Sequence, residues 1–276
     1  MSTGPDLDAY SPQQIAERVD SLGVAKARLP LLSMAMLGLL AGVFIGLGAM
    51  FSTLVLSDTE LPFAASRVLG AVCFSLGLLL VVVAGAELFT GNNLLAMAWA
   101  GGKVSSAEVL RNWTVVCVAN LAGAAGLAVL VFLSGHASLN GGAVGQAYLQ
   151  IAAGKSSLPL AELFFRGVLC NVLVCMAVWM ALGGRTVTDK FVAIVLPVAA
   201  FVAAGFEHSV ANMYFFPLAL LLKDSGIALP AGADAITLWA MWRNLGPVIL
   251  GNIFGGSVLV ALVYYVIYVR PGRAPR

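Results

Sequence analysis

Apolar positions along this chain run in long stretches, and polar residues gather in the short gaps between them. A bilayer core takes roughly 20 apolar residues as helix. By that measure spans are predicted at about 30–55, from after Arg67 to about Gly102, at about 112–134, at about 160–182, from near Thr188 to about Leu222, and at about 244–269. The stretch at about 140–154 is mildly apolar and Gly-rich, too weak for a span, and reads as a re-entrant or surface helix. Ahead of the first span, Ser11-Pro12-Gln13-Gln14 carries a helix start: a serine cap, proline in the first turn and glutamine three residues after the cap. Ile15, Val19 and Leu22 then recur at helical spacing, which predicts a short amphipathic helix lying on the membrane or on the protein.

The elements therefore predict an all-α membrane protein with six transmembrane helices. Residues 1–28 form an N-terminal segment with the amphipathic helix, 29–269 the six-helix transmembrane domain and 270–276 a short tail. Composition agrees: of the 276 residues 61% are hydrophobic and 10% charged, too little polar surface to face water on all sides. The net charge of +2 points to no nucleic-acid partner. The acidic N-terminus has no apolar run before Leu29, so no signal peptide is predicted. Cys73, Cys117, Cys170 and Cys175 lie in apolar runs, form no CxxC pair and read as small hydrophobes.

Six spans put both termini on one side. Arg18, Lys26, Arg28, Lys103, Arg111, Arg185, Lys190, Arg270, Arg273 and Arg276 fall on that side, against Arg67, Lys155, Arg166, Lys223 and Arg243 on the other. The richer side is predicted to be cytoplasmic.

The halves of the chain echo each other. GAELFTGN at 85–92 and GFEHSVAN at 205–212 share Gly85, Glu87, Asn92 with Gly205, Glu207, Asn212. The next span in each half begins Arg-Asn, at Arg111-Asn112 and Arg243-Asn244, followed by Asn120-x-x-Gly123 and Asn252-x-x-Gly255. Each half has an odd number of spans, so the second copy sits upside down: two inverted three-helix repeats. Spans two and five carry a glutamate and glycines near mid-span, and a charge there normally faces a cavity or a partner. Both spans are predicted to be broken, and matched breaks point to a transport site.

His208 stands in the second break, where an imidazole can donate a hydrogen bond, carry charge or pass a proton, or be satisfied by neighbours in a structural role. Glu87 and Glu207 are expected to turn away from the path and bind backbone N–H groups freed by the breaks, with Arg111, Arg243 or Thr90 as possible side-chain partners. Thr90 offers a hydroxyl at the first break. Asn171 inside span four serves either helix–helix bonding or the pore wall. Lys155 is either a cation at a pore mouth or a plain interfacial lysine. Phe74, Leu78, Leu88, Phe89 and Phe201 near the breaks either close apolar slits or pack ordinarily.

With these blocks the chain resembles the formate/nitrite transporter family from about Ala25 to Tyr268. The carriers are GAELFTGNN at 85–93, NVLVCMAVWMA at 171–181, GRTVTDK at 184–190, FVAAGFEHSVANM at 201–213 and the last span with its YYVIY end. The resemblance implies an aquaporin-like bundle assembled as a homopentamer in the bacterial inner membrane, with cytoplasmic termini and one pore per protomer. It implies that His208 and Thr90 face each other at the pore centre, with Phe74 and Phe201 as the periplasmic constriction and Leu78, Leu88 and Phe89 as the cytoplasmic one. Lys155 and Asn171 match positions near the outer vestibule and the histidine, and the segment after Glu87 matches a flexible loop linked to gating. The implied function is passage of small monovalent anions, formate first and nitrite also, with no cofactor and no metal. Some formate channels read LFTS where this chain reads LFTGN, which keeps nitrite or hydrosulfide as the alternative anion.

A neutral-solute channel of aquaporin type is the rival of another class, but neither half contains Asn-Pro-Ala. An enzyme is not expected: Glu207-His208 is not HExxH, and no Gly-x-Ser-x-Gly occurs.

Overall fold

The computed structural model describes residues 8–271, and the fold is all helical. Arg273 and Arg276 of the expected tail lie outside the described residues.

Helix α1, Pro12–Ala27, starts as its sequence dictates. The Ser11 hydroxyl accepts from the Gln14 N–H, and the Gln14 side chain accepts from the Ser11 N–H. It lies on the protein: Ile15 and Val19 are buried against Leu94, Met97 and Trp179, whereas Leu22 turns to a cavity. Helix α2, Leu31–Leu56, fills the first predicted span. Helix α3, Phe63–Leu79, widens into a π-type stretch at Leu80–Gly85 and then stops. The chain is extended at Ala86, resumes as a 3₁₀ turn at Gly91–Leu95, and ends in the short helix α4, Ala96–Ala100.

Helix α5, Ser106–Leu133, begins on a Ser105–Glu108 capping box, earlier than hydropathy alone suggests. Helix α6, Ala143–Ser157, is the weak segment, packed against α2 and α9. Helix α7, Leu160–Gly183, matches the fourth prediction. The fifth predicted span is two shorter helices, α8, Val187–Ala203, and α9, Ser209–Lys223, separated by an irregular stretch. Helix α10, Leu238–Ile253, begins at a Thr237 cap and continues as wide helix to Val269.

Among the described residues five helical stretches are long and apolar enough to cross a membrane: Leu31–Leu56, Phe63–Gly85, Ser106–Leu133, Leu160–Gly183 and Leu238–Val269. Their outward faces carry exposed apolar side chains such as Leu32, Leu130 and Trp239. Such a surface suits a lipid or protein neighbour rather than water.

Helix α2 packs on α3 and α5, and α7 packs on α8 and α10. Contacts α3–α8 and α5–α9 join the two groups. Small residues permit the close crossings. A Cβ on Gly123 would lie 2.0 Å from the Leu39 carbonyl oxygen, and one on Gly255 would lie 2.2 Å from that of Val168. The core sits between the groups and holds Ile45, Phe74, Phe89, Tyr148, Tyr214 and Phe216. Both helix breaks point into it.

Candidate functional site

Each break follows a glycine with positive φ, Gly85 at +85° and Gly205 at +74°, a conformation that L side chains resist. Breaking a helix leaves backbone groups unpaired, and those that are buried must find partners. In the first break the Glu87 N–H donates to the Leu37 carbonyl at 3.2 Å, and the Phe89 N–H donates to Asn120 Oδ1 at 2.9 Å. Asn120 Nδ2 donates to the carbonyls of Gly38 and Glu87. In the second break the Glu207 N–H donates to the Arg166 carbonyl at 3.3 Å, and the Ser209 N–H donates to Asn252 Oδ1 at 3.1 Å. Asn252 Nδ2 donates to the carbonyls of Gly167 and Glu207.

The acidic groups repeat the pattern. Lys26 Nζ pairs with Glu87 Oε1 at 2.5 Å, and Lys155 Nζ with Glu207 Oε1 at 2.8 Å. Asn92 Nδ2 donates to Glu87 Oε2 and to Asn112 Oδ1; Asn212 Nδ2 donates to Glu207 Oε2 and to Asn244 Oδ1. Asn112 Nδ2 reaches the Lys26 carbonyl, and Asn244 Nδ2 the Lys155 carbonyl. Arg111 holds the carbonyls of Ala27 and Leu29, and Arg243 those of Ser156 and Leu158.

Two expectations are corrected here. The glutamates bind no freed backbone N–H among the described residues, because Asn120 and Asn252 take those groups; Glu87 is held by Lys26 and Asn92, and Glu207 by Lys155, Asn212 and Asn244. Arg111, Arg243 and Thr90 are not their partners. Lys155 is not an unpaired interfacial cation either, since Glu207 holds it. Lys26 was missed as a partner. A signal existed: KARLP at 26–30 and KSSLP at 155–159 put a lysine at one fixed spacing before Leu-Pro in both halves.

His208 is the N-cap of α9. Its Nδ1 accepts from the Ala211 N–H at 3.1 Å, and its Nε2 lies 3.2 Å from Thr90 Oγ1. A backbone N–H can only donate, so Nδ1 is unprotonated and the imidazole hydrogen sits on Nε2, donating to Thr90. The Thr90 hydroxyl then keeps its own hydrogen to offer. The His208 ring stacks on Phe201 with centroids 5.8 Å apart, and Phe74 meets Phe201 edge-on at 5.9 Å. Asn171 Nδ2 donates to the Thr90 carbonyl, to Asn93 Oδ1 and to the Asn252 carbonyl, so it ties the breaks together and lines neither cavity described below.

Two cavities approach this pair and share no wall residue. One, of about 350 Å³, is lined by Lys26, Glu87, Leu78, Leu88 and Gly91. The other, of about 520 Å³, is lined by Lys155, Glu207, Phe74, Phe201 and His208. Thr90 is fully buried and lines neither; Leu88 and Gly91 beside it face the first cavity, and its hydroxyl meets His208 of the second. Phe89 is buried and lines neither cavity.

The formate/nitrite transporter sequence profile matches residues 13–266. The chain belongs to the formate/nitrite transporter family. It is 38% identical over 280 residues to the formate channel FocA of Escherichia coli strain K12, covering 98% of each protein. A solved structure described as a pentameric formate channel with formate bound superposes with a TM-score of 0.79 at 37% identity, over 87% of this chain and 98% of that one. The aquaglyceroporin of Plasmodium falciparum superposes with a TM-score of 0.51 at 16% identity, over 85% of this chain and 99% of that one. That last likeness speaks for the fold alone. Membership places this transporter-family chain in a membrane, where its long apolar helices are at home.

Proposed function

We propose that the chain is a multi-pass membrane channel for small monovalent anions, formate first, with nitrite also permeant. The observation that carries this reading is the contact of Thr90 with His208, sealed by apolar side chains and flanked by a cavity on each side. Its substrate class is supported by relatives named as formate channels.

The path runs through both cavities. Lys26 and Lys155 stand in the cavity walls as ammonium hydrogen-bond donors, each held in place and balanced in charge by its glutamate. Phe74 and Phe201 close the outer slit; Leu78 and Leu88, with Phe89 packed behind them, close the inner one. An anion entering such a slit loses its water, at a cost of several kcal/mol or more. Thr90 and His208 supply hydrogen bonds at that point. The resting imidazole is neutral, and its Nε2–H and the Thr90 hydroxyl are the donors in reach. His208 can pass its Nε2 proton to an anion only as Nδ1 takes one from water of the cavity it lines, giving up its bond from the Ala211 N–H and leaving the neutral Nδ1–H ring beside the protonated substrate. Glu87, Glu207, Asn92, Asn212 and Asn171 hold the breaks open.

The architecture in this reading is six spans in two inverted halves, with α8 and α9 together as the fifth. The paired hydrogen bonds of the two breaks support it, and α1 becomes the counterpart of α6. Residues 1–28 and the tail face the cytoplasm of a bacterial cell, on the more basic side. Five protomers assemble, as in the pentameric relative, through the exposed apolar helix faces.

His208→Asn keeps a donor but cannot titrate. In proteoliposomes this substitution is expected to abolish most formate uptake and to leave the remainder without the wild-type dependence on pH. Wild-type uptake with the wild-type pH profile contradicts a role for His208 as donor of protons.

A further inference from the structure

The two cavities match in backbone and in their lysine–glutamate pairs, but not in charge. The cavity at Leu78 and Leu88 has Lys26 and Glu87 as its charged walls, which cancel. The cavity at His208 has Lys155 and Glu207, which also cancel, and in addition Arg67 and Arg166. The first cavity has no arginine in its wall.

The two arginines are held differently. Arg67 donates from Nε and Nη2 to the carbonyls of Val202 and Ala203, the end of α8, which leaves Nη1 without an acceptor among the described residues. Arg166 donates only from Nη2, to Glu162 at 2.7 Å. That pair is half exposed and one helical turn apart, so it is weak and exchangeable. Its Nε and Nη1 have no acceptor among the described residues, and its backbone carbonyl holds the Glu207 N–H. Arg166 therefore stands over the break itself, with donors to spare, in a cavity wide enough for a hydrated ion.

We infer that the His208-side cavity is an anion-collecting antechamber in which Arg166, backed by Arg67, captures a small monovalent oxyanion before it reaches Lys155, and that the opposite cavity has no such stage. This rests on the channel reading above and adds to it a sidedness of capture. A guanidinium offers two parallel N–H donors to a carboxylate or nitrite, which a lysine does not. One unit of charge about 8 Å from an ion in water changes its local concentration roughly two-fold, and salt screens it over about 10 Å at 0.1 M. The consequence is a lower half-saturating concentration for entry from the His208 side.

The test is uptake of labelled formate into right-side-out and inverted membrane vesicles holding the full chain, at low ionic strength. Arg166→Leu is expected to raise the half-saturating formate concentration about two-fold in right-side-out vesicles, with no change in inverted ones. An impermeant salt should erase the shift, and Arg166→Lys should restore part of it. Arg166→Gln, equal in polarity but uncharged, gives the same reading if the leucine variant inserts poorly. No shift in either vesicle, or an equal shift in both, overturns the sided antechamber while leaving the channel intact. No formate uptake by the unsubstituted chain overturns the channel reading and this inference together.

Discussion

The hydrogen bond from Ala211 to His208 Nδ1 settles which ring nitrogen carries the hydrogen, and with it what Thr90 can offer. A cap made by histidine is unusual chemistry for an ordinary helix start, where serine, threonine or aspartate would serve. Leu88 holds the matching place in the first break. The asymmetry of that single pair is what gives the centre its polar contact. The lysine–glutamate pairs answer a different need, since each glutamate is buried and costs stability unless paired. Lys155→Met strands Glu207 and is expected to destabilise the protein by about 3 kcal/mol, the low end for a buried pair because Lys155 keeps some exposure. The combined change Lys155→Met with Glu207→Gln should recover most of that loss. Thermal unfolding in detergent measures both, and an unshifted midpoint for the single change contradicts a structural pairing. The sequence made Glu87, Glu207 and their glycines legible as a repeated motif. It hid Lys26, because a lysine ahead of a span reads equally well as a topology signal. It also hid the true roles of Asn112, Asn120, Asn244 and Asn252, since only folding brings α5 to the first break and α10 to the second.

At the scale of elements, hydrophobic runs located the helices and caps set their ends. The starts of α5 and α10 fall earlier than predicted because Ser105 and Thr237 cap them outside the apolar run. The wide helical stretches at Leu80–Gly85 and Phe254–Leu262 left no mark in periodicity, because the residues there are apolar or small on every face. The glycines that let helices cross were visible as pattern and invisible as cause. Gly123 and Gly255 each meet a backbone carbonyl, which cannot move aside as a side-chain tip can. Gly255→Leu should therefore separate α7 from the last helix and pull Asn252 off the second break. Its expected signature is a loss of thermal stability of about 2 kcal/mol or more from overpacking, together with lost formate uptake. Full uptake in that variant contradicts the view that this crossing holds the break in place.

For the whole molecule, two breaks with matching hydrogen bonds meet at the contact of Thr90 with His208; Leu78 and Leu88 line the cavity on one side of it, and Phe74 and Phe201 the cavity on the other. A path so narrow and so poor in charge at its centre favours an ion that is small and singly charged. Sulfate loses too much hydration to enter. In the proposed channel formate and nitrite meet that condition, and a proton taken at the centre would lower their cost further. Uptake into proteoliposomes of purified protein, compared for formate, nitrite, sulfate and glycerol at one pH, tests this most directly. Rapid entry of formate and nitrite is expected, with sulfate and glycerol near the protein-free background. Sulfate or glycerol entering as fast as formate contradicts it.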